Sequence, residues 1–236
     1  MGQVLDFIEI GTSDFNTLLE SCNDTQKGMS IEPLKFYLDN LPEKSNVTKV
    51  NAAIIVGNLI DTTQVYYINP EDITKHNLNW WLKGCNSVGK PHDFHTEYTT
   101  GEHNLNTWHW GDKTLVQTRN LLEEGLVQIL EVPCLSYNRL MKQYDIDYVD
   151  LIKLDTEGQD SSLLNSILDY YQDSNKKLPR TILFETNGHN KIEDSLQVIE
   201  RLISLGYKIL TGTQSDNNFS EFNYTYLSYD CVAILL

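Results

Sequence analysis

Short apolar segments alternate with amphipathic, helix-like segments along most of this chain. In residues 161–171, for example, apolar side chains recur at helical spacing and fall on one face. Parallel strands must be joined by crossover connections, which helices usually supply. The alternation therefore predicts an α/β fold built on a largely parallel sheet.

Seven strands are predicted from apolar runs bounded by glycine, proline or carboxylates, at residues 5–10, 27–33, 46–55, 147–158, 180–188, 207–212 and 230–236. The last two follow one another with no helix between them, which predicts an antiparallel hairpin at one edge of the sheet. The expected fold class is thus a doubly wound, mostly parallel, seven-stranded Rossmann-like sheet with an antiparallel C-terminal edge hairpin.

Residues 66–132 interrupt this alternation with an irregular segment rich in His, Trp, Asn and Gly. A connection of this length in a compact domain is usually functional or disordered, and its aromatic residues favour a functional cap. We therefore expect residues 1–236 to form a single domain that carries an insertion or cap at about 66–132.

The charge balance disfavours nucleic acid as a partner. The chain has 18 Lys and Arg against 33 Asp and Glu, a formal net charge of −15, so a polyanion is repelled. Asp6 and Glu9 interrupt the apolar run near the N-terminus, and no run of about 18 apolar residues is present. We expect a cytoplasmic protein with no membrane partner, and the four cysteines, which form no C-x-x-C pair, to be reduced thiols.

The first predicted strand ends in the turn "EIGTSDF", which contains a single glycine, Gly11. A dinucleotide fold would show G-x-G-x-x-G here, because a pyrophosphate approaches the backbone closely. S-adenosylmethionine has no phosphates, so it tolerates side chains such as Ser13 in this turn. The turn residues Glu9, Gly11, Thr12 and Ser13 are therefore candidate cofactor contacts.

Glu32 ends the second predicted strand, 21 residues after Gly11. An acidic residue about 20 residues after the first turn is placed to bind ribose hydroxyls. This spacing also fits NAD, so Glu32 indicates an adenosine nucleoside without saying which one. The pair Asn51 and Ala52 follows the third strand and completes the ordered set of motifs.

This set resembles the FkbM-type S-adenosylmethionine-dependent methyltransferases. The similarity rests on "EIGTSDFNTL", "SIEP", Asn51-Ala52 and residues 132–164, which contain an L-K-x-D-x-E-G element. It implies a methyltransferase version of the fold, S-adenosyl-L-methionine as cofactor, and methylation of a hydroxyl on a sugar or small-molecule acceptor. The cofactor-binding residues that the resemblance implies are Glu9, Gly11, Thr12, Ser13, Glu32, Asn51, Ala52 and Asp155. The chain departs from the family at Ser13 and Phe15, where many relatives carry glycine.

Polar residues that can act on an acceptor hydroxyl end the fourth and fifth predicted strands: Asp155, Glu157, Glu185, Asn187 and His189. Two mechanisms fit them. In one, a divalent cation such as Mg²⁺ is bound by Asp155, Glu185 and Asn187 and lowers the pKa of the hydroxyl. In the other, a carboxylate (Asp155 or Glu157) or His189 is the base. A purely structural alternative is that Glu157 caps the following helix.

The insertion contains two further candidate groups. Cys85, His92 and His95 match no familiar zinc spacing and could equally order an irregular segment through hydrogen bonds. Trp80, Trp81, Trp108 and Trp110 could stack on a sugar or form the core of the insertion. Exposed aromatic residues in this segment would also allow a homodimer.

Two other functions compete with methyl transfer. One is a catalytically silent module of the same fold that binds a nucleoside or a partner protein. The other is an NAD-dependent oxidoreductase, which the missing second and third glycines disfavour.

Overall fold

The computed structural model describes residues 2–14, 16–57, 60–100, 117–186, 192–213, 218–222 and 230–236. The chain divides into two compact units, one formed by Met1–Thr63 with Glu131–Leu236 and the other by Gln64–Leu130. The second unit spans nearly the same residues as the predicted insertion. Within the described ranges, every helix is too short or too polar to cross a membrane.

The strands are, in chain order, β1 (Gln3–Ile10), β2 (Gly28–Ile31), β3 (Val47–Val50), β4 (Ala53–Ile54), β5 (Thr62–Ile68), β6 (Ser87–Val88), β7 (Tyr98–Thr100), β8 (Gln117–Arg119), β9 (Val127–Leu135), β10 (Ile146–Leu154), β11 (Thr181–Glu185), β12 (Tyr207–Thr213), β13 (Asn218–Glu221) and β14 (Asp230–Leu235). The α-helices are α1 (Leu18–Ser21), α2 (Lys35–Asn40), α3 (Pro70–Lys75), α4 (Asp93–Thr96), α5 (Tyr137–Gln143), α6 (Asp160–Ser174) and α7 (Ile192–Ser204), and Trp80–Lys83 forms a 3₁₀-helix.

The first unit contains a large mixed sheet with the order β13-β12-β14-β11-β10-β1-β2-β3. The five strands from β11 to β3 in this order are parallel, whereas β14 is antiparallel to both of its neighbours and β13 is antiparallel to β12. The prediction of an α/β fold is confirmed in this form.

The finer prediction of seven strands with a C-terminal hairpin at the edge was wrong. The sheet has eight strands in the described residues, and β14 lies between β11 and β12. The pairing of β12 with β14 is antiparallel as expected, but β14 also pairs along its other side with β11. Its alternate residues Cys231 and Ala233 are buried, which suits an interior strand.

The core of this unit packs helices against the sheet. The predicted apolar face of α6 is buried, and its members are Leu163, Leu164, Ile167, Leu168 and Tyr171. They pack with residues of β1, β10, β11 and α7 in one apolar cluster. The hydroxyls of Tyr137 and Tyr171 share a hydrogen bond of 2.8 Å inside this core, which satisfies both buried polar groups.

The strand order reverses between β1 and β10. From β1 the chain proceeds outward through β2 and β3, and after the second unit it returns to β10 and proceeds in the opposite direction through β11. In an open parallel sheet, ligands bind beyond the carboxyl ends of the strands at such a switch point. The segments that follow Ile10 and Leu154 border this position.

The second unit has an apolar core of its own, formed by Ile68, Ile73, Leu78, Leu82, Cys85, Tyr98, Leu121 and Val127. In this unit β5 lies beside β9, and the Tyr67 hydroxyl donates to the Gln128 side chain at 2.8 Å. β6 pairs antiparallel with β5, and β7 pairs antiparallel with β8. A core of this size indicates that the segment folds as an ordered unit.

Candidate functional site

The turn after β1 is held against the chain that follows β10. Gly11 has a φ of +81°, and a Cβ atom there would lie 1.9 Å from the carbonyl oxygen of Asp155. The amide of Asp155 donates to the carbonyl of Ile10 at 3.0 Å, so the two segments continue the pairing of their strands. The single glycine of this turn is therefore required by close packing within the protein as well as by its left-handed backbone.

Glu32 connects the turn after β1 to the chain after β2. Its two carboxylate oxygens accept hydrogen bonds from the amides of Ser13 and Leu34, each at 2.9 Å. The side chain is buried, and the residue is only 3% exposed. Burial, followed by the charges of Asp155 and Asp14, raises the pKa of Glu32 to about 7. Each oxygen keeps a second lone pair, so the carboxylate can still accept a ligand hydroxyl.

Ser13 contributes a buried hydroxyl to the same turn. Its backbone is left-handed, with a φ of 47°, and its Oγ has no hydrogen-bond partner among the described residues. The neighbouring Thr12 is buried and donates its hydroxyl to the carbonyl of Ser13 at 3.2 Å. An unpartnered buried hydroxyl is unfavourable in a folded protein, so Ser13 is suited to a ligand polar group.

Asn51 and Ala52 support the segment that carries Glu32. The side-chain amide of Asn51 donates to the carbonyls of Glu32 at 2.9 Å and Pro33 at 2.8 Å. Ala52 is buried in the apolar core of the first unit. Both residues thus fix the chain after β2, and Asn51 does so through its two donors.

Glu9 lies in an internal ion pair. The residue is 0% exposed, and its Oε1 accepts from the Nζ of Lys153 at 3.0 Å. Both carboxylate oxygens also lie 3.0 Å from the amide of Leu18, the first residue of α1. Burial raises the pKa of Glu9, although the Lys153 charge opposes this. Lys153 in turn donates to the carbonyl of Asn16, so this pair fixes the path from β1 to α1.

The predicted residues Asp155, Glu157 and Glu185 lie within electrostatic range of one another. Burial, followed by the charge of Glu157, raises the pKa of Asp155 to about 7. Burial also raises the pKa of Glu185 to about 9, with further contributions from the charges of Asp155 and Glu157. For both groups burial is the largest cause, and the charges of the neighbouring carboxylates add to it.

Two carboxylates that the sequence analysis missed belong to the same group. Asp230 lies opposite Glu185 in the register of β14 and β11, and its charge adds to the rise in the pKa of Glu185. Asp160 begins α6, and burial followed by the charge of Asp155 raises its pKa to about 7. Asp160 resembled an ordinary helix start in the sequence, and the place of Asp230 depends on strand register.

The Asp160 carboxylate is only half satisfied by the protein. Its Oδ1 accepts from the amide and the hydroxyl of Thr156, at 2.9 and 2.8 Å. Its Oδ2 has no hydrogen-bond partner in the described part of the chain, although the residue is 0% exposed. This oxygen is therefore available to a ligand in a site closed to bulk water.

Glu157 does not cap α6 from the N-cap position, which Gln159 occupies. Glu157 and Gly158 both have left-handed backbones, with φ values of 51° and 92°. A glutamate in this conformation is strained, and such strain is found most often near functional sites. Asn187 and His189, the other predicted site residues, lie outside the described residues, as does Phe15.

In the second unit, His92 and His95 stabilise the start of α4. The Nδ1 of His92 accepts from the amide of Phe94 at 3.1 Å, and the Nδ1 of His95 accepts from the amide of His92 at 3.2 Å. Burial lowers the pKa of both imidazoles, that of His95 to about 4. These bonds satisfy the Nδ1 atom of each ring through local structure.

The insertion's tryptophans differ in exposure. Trp81 packs edge-on against Phe94 at a centroid distance of 4.9 Å, whereas Trp80 is 70% exposed. Trp108 and Trp110 lie outside the described residues. Of the two described tryptophans, Trp80 is therefore the one that can stack on a ligand.

A cavity of about 580 Å³ lies beside the amino end of β10. It is bordered by α5, α6 and the start of β10, including Lys142, Asp145, Asp173 and Lys176. The candidate residues follow the other end of β10, roughly 26 Å away at about 3.3 Å per strand residue. This cavity is therefore separate from the candidate site.

No protein-family model matches the chain, and neither a curated protein nor a solved structure matches it. The functional assignment therefore depends on the sequence motifs and on the geometry of the site.

Proposed function

We propose that the protein is an S-adenosylmethionine-dependent methyltransferase that methylates a hydroxyl of a sugar or small-molecule acceptor. One observation carries the proposal: the Gly11 turn, Glu32 and Asp155 lie together where the strand order reverses. Glu32 is hydrogen-bonded to the turn, and the turn packs on the carbonyl of Asp155. This is the position at which open parallel sheets bind nucleosides.

The strand order supports the same proposal. Without β13, the strands are arranged in the order β3-β2-β1-β10-β11-β14-β12. In this order β14 lies between β11 and β12 and is antiparallel to both. The parallel strands on either side of the reversal between β1 and β10 are arranged as in a doubly wound sheet, which binds ligands at that switch point. The doubly wound, Rossmann-like form of the fold is therefore part of the proposal, with β13 as an addition at the edge.

In this function the chain's own groups bind and orient the cofactor. Glu32 accepts hydrogen bonds from the ribose hydroxyls through its remaining lone pairs, and the buried Oγ of Ser13 bonds a polar group of the cofactor's amino-acid end. The turn has one glycine, so it suits a cofactor without phosphates. When bound, S-adenosylmethionine supplies an electrophilic methyl group on a sulfonium.

The carboxylates after β10 and β11 then act on the acceptor hydroxyl. A general base works best when its pKa lies near the working pH, and Asp155 has a pKa of about 7. Glu157, in the same group, is the second candidate base. His189 stays a prediction because it lies outside the described residues.

Calorimetric titration with S-adenosylhomocysteine tests the cofactor assignment. We expect micromolar binding by the wild-type protein, binding at least about tenfold weaker in Glu32→Ala, and unchanged binding in the control Glu43→Ala, whose side chain is 87% exposed. Circular dichroism must show that each variant is folded. Binding of NADH in place of S-adenosylhomocysteine would instead support an oxidoreductase.

A catalytically silent module of the same fold is the second candidate. It is favoured by the fact that both oxygens of the buried Glu32 already accept backbone hydrogen bonds. In that case Glu32 would serve only to join two loops. Failure of the folded wild-type protein to bind either ligand would favour this candidate over the enzyme.

A further inference from the structure

The turn between β1 and α1 has a shape that most of its own residues do not favour. Gly11, Ser13 and Asn16 all have left-handed backbones, with φ values of 81°, 47° and 54°. Glycine adopts this conformation freely, but a residue with a side chain keeps it only where the surrounding structure holds it. The shape of the turn therefore depends on contacts from outside it.

Lys153 supplies one of these contacts from the neighbouring strand. Lys153 and Glu9 lie opposite each other in the register of β10 and β1, one residue before each strand ends. The Nζ of Lys153 donates to the carbonyl of Asn16 and to the Oε1 of Glu9, each at 3.0 Å. The same carboxylate accepts from the amide of Leu18, where α1 begins. Lys153 thus bonds the turn directly, and Glu9 holds the chain just after it.

Stability alone does not explain why an ion pair lies here. The Lys153 side chain is 6% exposed and that of Glu9 0%, and taking two charges out of water offsets most of their attraction. Well-packed apolar side chains of similar size often stabilise a fold as well as a buried ion pair does. An apolar pair, however, could not donate to the carbonyl of Asn16. The hydrogen bond to the turn is therefore the contribution that requires the lysine.

The same turn carries groups that the proposed function assigns to the cofactor. The amide of Ser13 donates to Glu32 at 2.9 Å, and the buried Oγ of Ser13 has no hydrogen-bond partner among the described residues. Binding groups must be held within roughly 0.5 Å of their productive positions, and neighbouring side chains provide this precision. We propose that Lys153 is a positioning residue for the cofactor, because its bond to Asn16 holds the turn in the shape that presents Ser13. This inference rests on the proposed function.

Paired substitutions separate positioning from folding. Glu9→Gln/Lys153→Met removes both buried charges, while the side-chain oxygen of the glutamine can still accept from the amide of Leu18. We expect this double variant to fold, and to bind S-adenosylhomocysteine at least about tenfold more weakly than the wild type in calorimetry, because the carbonyl of Asn16 has lost its donor. Glu9→Gln alone keeps Lys153 and should bind more tightly than the double variant.

Lys49→Met is the matched control. The Nζ of Lys49 also donates to a backbone carbonyl, that of Leu41 at 2.7 Å, and its side chain is 15% exposed. Lys49 lies on β3, two strands away from β1, and its bond holds the end of α2 instead of the turn. We expect Lys49→Met to bind S-adenosylhomocysteine as the wild type does.

Hydrogen exchange measures the order of the turn without any ligand. In the wild type the amides of Ser13 and Leu18 are bonded to the side chains of Glu32 and Glu9. In the double variant we expect faster exchange in residues 11–18 and unchanged exchange in β11 and β14, because only the turn has lost a contact. Unchanged exchange in residues 11–18 would mean that Lys153 does not hold the turn.

The two proposals fail in distinguishable ways. If the wild type and the folded double variant bind S-adenosylhomocysteine equally well, the role of Lys153 is wrong and the methyltransferase stands. If the wild type does not bind S-adenosylhomocysteine, the proposed function falls, and the exchange of residues 11–18 still decides whether Lys153 holds the turn.

Discussion

Glu9 and Asp160 are both fully buried carboxylates near the carboxyl ends of neighbouring strands, but their surroundings differ. Glu9 meets the ammonium of Lys153 and the amide of Leu18. Asp160 meets Thr156 through one oxygen and lies within range of other carboxylates. The hydrogen bonds of Glu9 fix the path of the chain from β1 to α1. The second region, around Asp160, leaves one oxygen of a buried carboxyl group without a hydrogen-bond partner in the described residues.

Replacing Lys153, the positively charged partner of Glu9, should have the largest effect on stability. Lys153→Met leaves Glu9 buried without its ion partner, so we expect the free energy of unfolding to fall by about 3–5 kcal/mol. Urea denaturation of both proteins at pH 7 measures this loss. The double variant Glu9→Gln/Lys153→Met should regain much of it, because no buried charge then remains. If the single variant is as stable as the wild type, Glu9 does not depend on Lys153 and the comparison fails.

The pH dependence of stability should show the next largest effect, through Glu32. Its pKa rises from the usual 4.5 to about 7 on folding, so the folded state binds more protons in this range. Its contribution is therefore full below pH 4.5 and is lost as the pH rises to about 7, by up to about 3 kcal/mol at ~1.4 kcal/mol per pH unit.

Denaturation of the wild type and of Glu32→Gln between pH 4.5 and pH 8 measures this contribution. Glutamine cannot titrate, so the difference in slope between the two proteins isolates Glu32. The variant also loses one hydrogen bond from the amide of Ser13 or Leu34, which lowers its stability equally at every pH. Parallel curves would show that Glu32 keeps an ordinary pKa in the folded protein.

Replacing Glu185, a carboxyl group in the second region, should change stability in the direction opposite to Lys153→Met. At pH 8, Glu185→Gln should raise the free energy of unfolding by about 1 kcal/mol, because burial raises the pKa of Glu185 to about 9 and the wild-type side chain must take up a proton on folding. Urea denaturation at pH 8 measures the change. A loss as large as that of Lys153→Met would mean that Glu185 is charged and compensated within the protein, like Glu9.

An exposed ion pair should contribute much less to stability than the buried pair of Glu9 and Lys153. Lys35 and Asp39 lie 2.6 Å apart on α2, and both side chains are more than half exposed. A double-mutant cycle with Lys35→Met and Asp39→Asn should give a coupling free energy of no more than about 0.5 kcal/mol. A larger value would show that surface charges also contribute strongly here and would weaken the contrast with buried Glu9.

The sequence was informative wherever local pattern decides structure. The apolar run at residues 5–10 lies within β1, and the apolar spacing of residues 161–171 lies within α6. Local pattern was less informative about residues 46–55, which form two short strands, β3 and β4, in different sheets. β13, whose sequence is NFSE, was not predicted because its residues carry little apolar pattern.

The site was predictable to the extent that carboxylates follow parallel strands. Asp155 and Glu185 end adjacent strands, so their proximity followed from the strand order. Asp230 was missed because its place depends on the register between β11 and β14. It lies opposite Glu185 in that register, although it comes 45 residues later in the sequence. The partner of Glu9 was missed for the same reason, since Lys153 lies beside it only in the register of β1 and β10.

The position of β14 also affects how the chain can be assembled during synthesis. β11, β12 and β13 are all made before β14, yet β11 and β12 do not pair with each other and are joined in the sheet only through β14. Chains emerge from the ribosome N-terminus first, so the outer edge of β11 stays unpaired until residues 230–235 have been made. An open strand edge is a site for pairing with other chains. The nascent protein thus depends on β14, which is made after both of its neighbours in the sheet, to cover the open edge of β11.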